Sequence, residues 1–253
     1  MVTGLDVWRA HFEGFEDRYV LVGGVACDLV MDEVGLEFRA TKDMDVVLIV
    51  EALDGAFAER FWAFVEAGGY EQRERSDGKK SLYRFQRPTT PGYPVMIELF
   101  SRAPDGLELG EDSQLTPLPI DETVASLSAI LLDESYYGLL KANMRRLEGL
   151  PLLDEVALIP FKAKAFMDLS ARRAAGEKVD QKDVRKHRND VFRLMQLLAA
   201  DAVYELPEGI AGDMADFVRA VQADEIFDPK GIGLRQSAEE ALARLCAAYG
   251  VVL

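Results

Sequence analysis

Cysteine is scarce in this 253-residue chain: there are two, Cys27 and Cys246, near opposite ends and each in apolar surroundings. A disulfide-dense secreted scaffold is excluded, and both are expected to be small buried thiols. Basic residues are also in deficit, 29 against 44 acids, for a formal net charge of −15. Such a surface repels phosphate backbones at long range, which excludes sequence-independent nucleic-acid binding as the dominant activity. A nucleotide held by a local basic pocket and metal ions is not excluded. No apolar run approaches the about 18 residues that a membrane-spanning helix needs. No basic stretch leading into an apolar one reads as a secretory signal. The expectation is a cytoplasmic protein with no membrane partner. Repeats and low-complexity tracts are missing too. What remains has the composition and length of one large globular domain or two small ones.

Hydrophobic patterning divides the chain. "RYVLVGG" (18–24) reads as a buried strand ended by glycines, and "VACDLVMDEV" as the helix that follows. "DMDVVLIV" (43–50) is a second strand, and "GAFAERFWAFVEAGGY" (55–70) an amphipathic helix closed by glycines. "SLYRFQRP" (81–88) and "YPVMIELFSR" (93–102) bracket a Pro/Gly turn and read as a hairpin. "ASLSAILLD" (125–133) suggests a strand and "ESYYGLLKANM" (134–144) a helix. From about residue 158 the pattern is helical throughout, in two long stretches and two near 210–223 and 236–248. The expected fold class is α+β: a mixed sheet with flanking helices over 1–157, then an all-helical part over 158–253.

Candidate chemistry begins with "RATKDMD", where Asp43 and Asp45 open the second strand. Residues two apart on a strand share a face, so the two carboxylates are neighbours and repel unless something pairs them. A divalent cation would do so. Oxygen ligands suit Mg²⁺ or Mn²⁺, and Mg²⁺ is commonly held by one or two carboxylates plus substrate phosphates. Gly23 and Gly24, between strand and helix, make either a plain tight turn or a place where backbone N–H groups approach an anion. Glu98 lies within the apolar run "PVMIELFS", where a carboxylate is costly unless paired or metal-bound. Thr41 is a candidate hydrogen-bond donor to a phosphate or to an aspartate, and Arg39 either a phosphate ligand or a structural ion pair.

Further on, Phe161, Lys164, Ala165, Asp168 and Arg172 fall on one helical stripe, which reads as a face turned to a cleft or as a surface charge ladder. Val184, His187, Val191, Leu194 and Leu198 form an apolar seam on the next helix, flanked one turn apart by Lys186 and Asp190. Those two either edge a pocket or pair on the surface. Arg73, Arg75, Lys79, Lys80 and Arg84 make a basic island in an acidic chain, either merely solvated or a docking place for a phosphorylated acceptor.

Gly-Gly, a helix, "RATKDMD" and a carboxylate on a later strand together resemble the nucleotidyltransferase superfamily with its DNA polymerase β-like core. The 18 residues between Gly24 and Asp43, the "R-x-T-x-D-x-D" pattern and the segment "FKAKAFMDLSARR…KVDQKDVRKHRNDVFRL" are similar to the AbiEii/AbiGii-type nucleotidyltransferase toxins. The likeness spans roughly residues 18–200, and Lys-His stands where many members have Arg-Asp. It implies transfer of a nucleoside monophosphate from an NTP to an RNA such as tRNA, a protein or a small molecule. It implies Asp43, Asp45 and Glu98 as ligands of Mg²⁺ or Mn²⁺ and as the catalytic carboxylates. Gly23, Gly24, Thr41, Lys164, Lys186 and Asp190 would then be nucleotide-binding, with the helical part contributing to the cleft. A cognate antitoxin protein is an implied partner. The rival readings are a nucleotidyltransferase-like binding module without turnover and, further off, a D-x-D nucleotide-sugar glycosyltransferase.

Overall fold

The computed structural model of the protein describes residues 2–49, 54–74, 80–101, 107–108, 114–115, 127, 130–131, 133–224 and 226–252. The chain is α+β and forms two compact units, residues 1–119 with 144–153, and residues 120–143 with 154–253. Among the described residues no helix is long and apolar enough to cross a membrane.

The first unit is built on a seven-stranded mixed sheet. Its strands are β1 (Tyr19–Val22), β2 (Asp43–Leu48), β3 (Glu71–Glu74), β4 (Lys80–Gln86), β5 (Met96–Ser101), and, after a two-stranded ribbon of β6 (Leu107–Glu108) and β7 (Gln114–Leu115), β8 (Met144–Leu147) and β9 (Leu150–Leu153). The order across the sheet is β3-β4-β5-β2-β1-β9-β8. β2 runs parallel to β5 and antiparallel to β1, while β9 runs parallel to β1. Helices α1 (Leu5–His11), α2 (Gly23–Asp32) and α3 (Gly55–Gly68) complete the unit. Asp54 caps α3 by accepting from the Phe57 N–H at 2.9 Å, and Gly69 ends it in the left-handed region.

Strand parity sorts this sheet into two faces. One carries an aromatic core: Trp8 and Phe12 of the first turn-and-helix segment, Tyr19 of β1, Phe57, Phe61 and Phe64 of α3, and Phe85 of β4 are all essentially inaccessible. The Trp8 ring centre lies 4.2 Å from that of Phe12, the rings tilted by 35°, and Trp8 meets Phe64 edge-on at 5.1 Å. Phe85 is paired with Ile97, and Ile97 with Met44, so these side chains share the aromatic face. Arg84, Glu98, Asp45 and Asp43 have the opposite parity and project from the other face.

The second unit is helical among the described residues: α4 (Glu134–Ala142), α5 (Glu155–Ala174), α6 (Gln181–Leu194), α7 (Glu208–Gln222) and α8 (Ala238–Tyr249). Four of these five starts have a side-chain cap, α7 after Pro207 being the exception. Asp133, Asp154 and Asp180 accept N-terminal backbone N–H groups of α4, α5 and α6, and Ser237 with Glu240 forms a capping box on α8. Of the expected seam, Val184, Val191 and Leu194 are buried and His187 half-buried on α6, while the helix ends at Leu194 and the buried Leu198 lies beyond it. The strand expected at 125–133 does not form where it is described: Leu127, Ile130 and Leu131 are helical, and the rest of that stretch lies outside the described residues apart from Asp133. The boundary read at 157/158 falls just past Asp154, where the chain enters the second unit for good, and it takes no account of the earlier passage through 120–143.

Candidate functional site

The carboxylates are placed by two adjoining strands, β2 and β5. Asp43 and Asp45, half-buried, flank the fully buried Met44 on β2, as period-two alternation requires. Asp45 stands in register with Glu98 of β5, and Glu98 with Arg84 of β4. On the other side Asp45 faces Val22, the residue before the glycine pair. One row therefore crosses the sheet: Val22, Asp45, Glu98, Arg84, with neighbouring strands about 4.8 Å apart.

Within the row the side chains part company. Asp45 turns towards the start of α2, where a Cβ built on Gly23 would fall 1.8 Å from its Oδ2. Gly23 also has φ of +65°, so both its conformation and its bareness are required there. Gly24 leaves room for Thr41, whose Oγ1 would lie 2.4 Å from a Cβ at that position. The glycines therefore make more than a tight turn: they admit Asp45 and Thr41 against the backbone that begins α2. Its N-cap residue is Val22, whose side chain cannot cap it, unlike Asp54 of α3, and the partial positive charge of the helix start lies beside the aspartate.

Glu98 leans the other way. Its Oε1 accepts from Arg84 Nε at 2.6 Å and lies 2.5 Å from a terminal guanidinium nitrogen, and both side chains are largely buried. The cation resolves the problem posed by a carboxylate in an apolar strand. The expectation that Asp43, Asp45 and Glu98 converge on one cation position is narrowed accordingly. Among the described residues no three acidic, His or Cys side chains form a group that could hold an ion. The reason is visible in the row: Asp45 is drawn to the glycine turn and Glu98 to the arginine. What the row leaves for Mg²⁺ or Mn²⁺ is the aspartate pair on one face of β2, which would need water and phosphate oxygens to complete the ligand set.

Of the basic island, Arg84 is thus an ion-pair partner, Arg73 and Lys80 lie in β3 and β4, and Arg75 and Lys79 are outside the described residues. Arg39 places its guanidinium 5.1 Å from the Phe38 ring centre.

Lys164, Lys186 and Asp190 belong to the second unit. The stripe on α5 that suggested a cleft is instead occupied by neighbouring helices of that unit. Phe161 meets Tyr136 of α4 edge-on at 5.2 Å, and Lys164 Nζ donates to Asp213 Oδ1 of α7 at 2.8 Å. The buried Tyr136 hydroxyl donates to the other oxygen of Asp213 at 3.0 Å. Burial works against the Lys164 charge, but the hydrogen bond and charge of Asp213, with Asp168 and Asp133 nearby, raise its pKa overall. Burial, then Asp213, raise that of Tyr136.

Lys186 and Asp190 do not form the surface pair that their spacing allows. Lys186 lies 3.6 Å from Asp183 on a half-exposed face, whereas Asp190 is wholly inaccessible. Asp190 accepts from Lys162 Nζ at 3.1 Å and lies 3.4 Å from Arg193. Sequence reasoning singled out Lys164 and passed over Lys162, the buried lysine that meets Asp190. The signal was the position of Lys162 amid buried Ile159, Phe161, Ala163 and Phe166, where a charge needs a fixed partner.

No protein-family model matches the sequence, and no curated protein matches it. Among solved structures the chain is similar to an antigenic nucleotidyltransferase-like protein from Paracoccidioides brasiliensis, at 16% sequence identity and a TM-score of 0.51. The match covers 97% of this chain and 91% of that one. The likeness is one of fold, and the fold is nucleotidyltransferase-like.

Proposed function

We propose that the chain is a metal-dependent nucleotidyltransferase, which moves a nucleoside monophosphate from an NTP to an acceptor with release of pyrophosphate. The observation that carries this reading is the junction of β1, α2 and β2. There a glycine pair admits Asp45 and Thr41 against the start of α2, on a fold of the nucleotidyltransferase kind. Asp43 and Asp45 would hold Mg²⁺ or Mn²⁺. When bound, the cation neutralises charge on the transferring phosphoryl group and on the oxygens that attack and leave. The N–H groups at the start of α2 offer donors and a positive dipole end to phosphate oxygens. Thr41, held beside Gly24, is the hydroxyl donor of the same corner. Lys164 and Lys186 are carried into the proposal by the sequence resemblance, as phosphate-neutralising cations. Asp190 holds Lys162 and Arg193 in place.

The acceptor, whether RNA such as tRNA, protein or a small molecule, and a role as an AbiEii/AbiGii-type toxin with a cognate antitoxin rest on the resemblance alone. A second reading, a module that binds nucleotide without turnover, is favoured by the neutralisation of Glu98 by Arg84. Incubation of the purified protein with labelled NTPs, Mg²⁺ or Mn²⁺ and a panel of acceptors separates the two. The proposal expects label transfer that Asp45→Asn abolishes. Transfer that survives Asp45→Asn refutes the catalytic assignment, and binding with no transfer to any acceptor favours the module.

A further inference from the structure

We infer that Arg84 is a latch on the third carboxylate, withholding Glu98 from the cation that Asp43 and Asp45 hold. The inference rests on the metal-dependent reading above and deepens it. Glu98 is adjacent to Asp45 in register and projects from the same face, so its backbone position is that of a third ligand. Its side chain is nevertheless committed elsewhere. Arg84 engages one carboxylate oxygen through two guanidinium nitrogens, from the strand on the far side. A planar guanidinium in a largely buried setting makes this a strong, oriented contact, worth more than an exposed ion pair.

Two consequences follow for a cation at the aspartates. The third ligand is missing while the pair is closed, and a fixed positive charge stands one strand beyond it. Both weaken affinity for a dication. Opening the pair reverses both, because Glu98 then adds a negative ligand while the guanidinium turns to another anion. Phosphate is the chemistry best matched to a released guanidinium, which binds it through two parallel N–H donors. The centre so described is incomplete at rest and is completed by exchange of ion-pair partners.

The test is direct Mn²⁺ binding by the full chain without nucleotide, followed by electron paramagnetic resonance of unbound Mn²⁺. Arg84→Met, which keeps the aliphatic stem, should tighten Mn²⁺ binding by about tenfold, as ligand charge count tunes cation affinity. Glu98→Gln alone should not tighten it, and in that background Arg84→Met should tighten it by no more than about twofold, the part due to removing the positive charge, since the rest of the gain runs through Glu98. If Arg84→Met does not fold, Arg84→Lys, which keeps the charge but loses the fork, should still tighten binding. Tightening that persists at full size with Glu98→Gln overturns the latch. So does unchanged or weaker binding by Arg84→Met when wild type binds and Asp45→Asn does not, and in that case the metal reading stands. No Mn²⁺ binding by any form overturns the metal reading and the latch together.

Discussion

Gly23→Ala tests the corner on which the functional reading depends. Two costs are separable. A left-handed backbone with a Cβ costs about 1–2 kcal/mol, offset by about 0.4–1 kcal/mol from a stiffer unfolded chain, which leaves roughly 1 kcal/mol. The new methyl would also fall 1.8 Å from Asp45 Oδ2 and 2.8 Å from its carboxyl carbon, so the aspartate must rotate. An off-rotamer side chain costs about 0.5–1.5 kcal/mol, bringing the total near 2 kcal/mol. In an Asp45→Ala background the second cost disappears, so the double-mutant cycle should show a coupling of about 1 kcal/mol in denaturant unfolding. Mn²⁺ affinity should fall about tenfold or more in Gly23→Ala, the equivalent of about 1.4 kcal/mol. Gly24→Ala is the control, since its methyl meets Thr41 rather than Asp45. Wild-type Mn²⁺ affinity in Gly23→Ala, or additivity with Asp45→Ala, refutes the claim that the bare glycine positions this carboxylate.

Lys162→Met should destabilise the protein by about 3 kcal/mol in urea unfolding, because the inaccessible Asp190 loses the nearer of its two described cations. Removing both charges, Lys162→Met with Asp190→Leu, should restore much of that loss. Lys186→Ala should cost less than about 0.5 kcal/mol, as its pair with Asp183 is exposed; a nucleotide-binding role would show as weaker NTP affinity at unchanged stability. Lys164 and Tyr136 both have raised pKa values, so the stability they contribute is complete below the ordinary values of 10.5 and 10.0 and is lost as pH rises above them. Asp213→Asn should therefore flatten the alkaline fall in stability measured by circular dichroism.

The elements carrying the carboxylates were legible because they obey simple periods. β2 begins at the aspartate pair, α3 begins at Gly55 as read and ends at Gly68, within the glycine pair that closed the 55–70 reading, and β4 and β5 pair antiparallel as a Pro/Gly turn suggests. The parity that puts Glu98 opposite Ile97 and Leu99 was readable too. Four others were not. α1 is a short helix held by Trp8 packing rather than by a long periodic pattern. β3, Glu-Gln-Arg-Glu, has no apolar alternation and owes its strand state to pairing with β4. β8 and β9 turn at Glu148-Gly149, both with positive φ, and β9 contains Pro151, which argues against a strand in the linear sequence. In the site, the acids were legible but their partners were not. The pull of Arg84 on Glu98 and of Lys162 on Asp190 spans 14 and 28 positions, and no local pattern reports it.

The strand β9 lies beside β1 although more than a hundred residues separate them, and the chain has by then already run through 120–143 of the other unit. On a ribosome, the sheet that presents Asp45 cannot close until residue 153 has emerged, with part of the helical unit made ahead of it. A fragment cut before β8 should lack the strand beside β1 and expose that edge to aggregation. The two units are therefore not separable by a single cut, and any attempt to express the carboxylate-bearing half alone must carry the 144–153 hairpin with it.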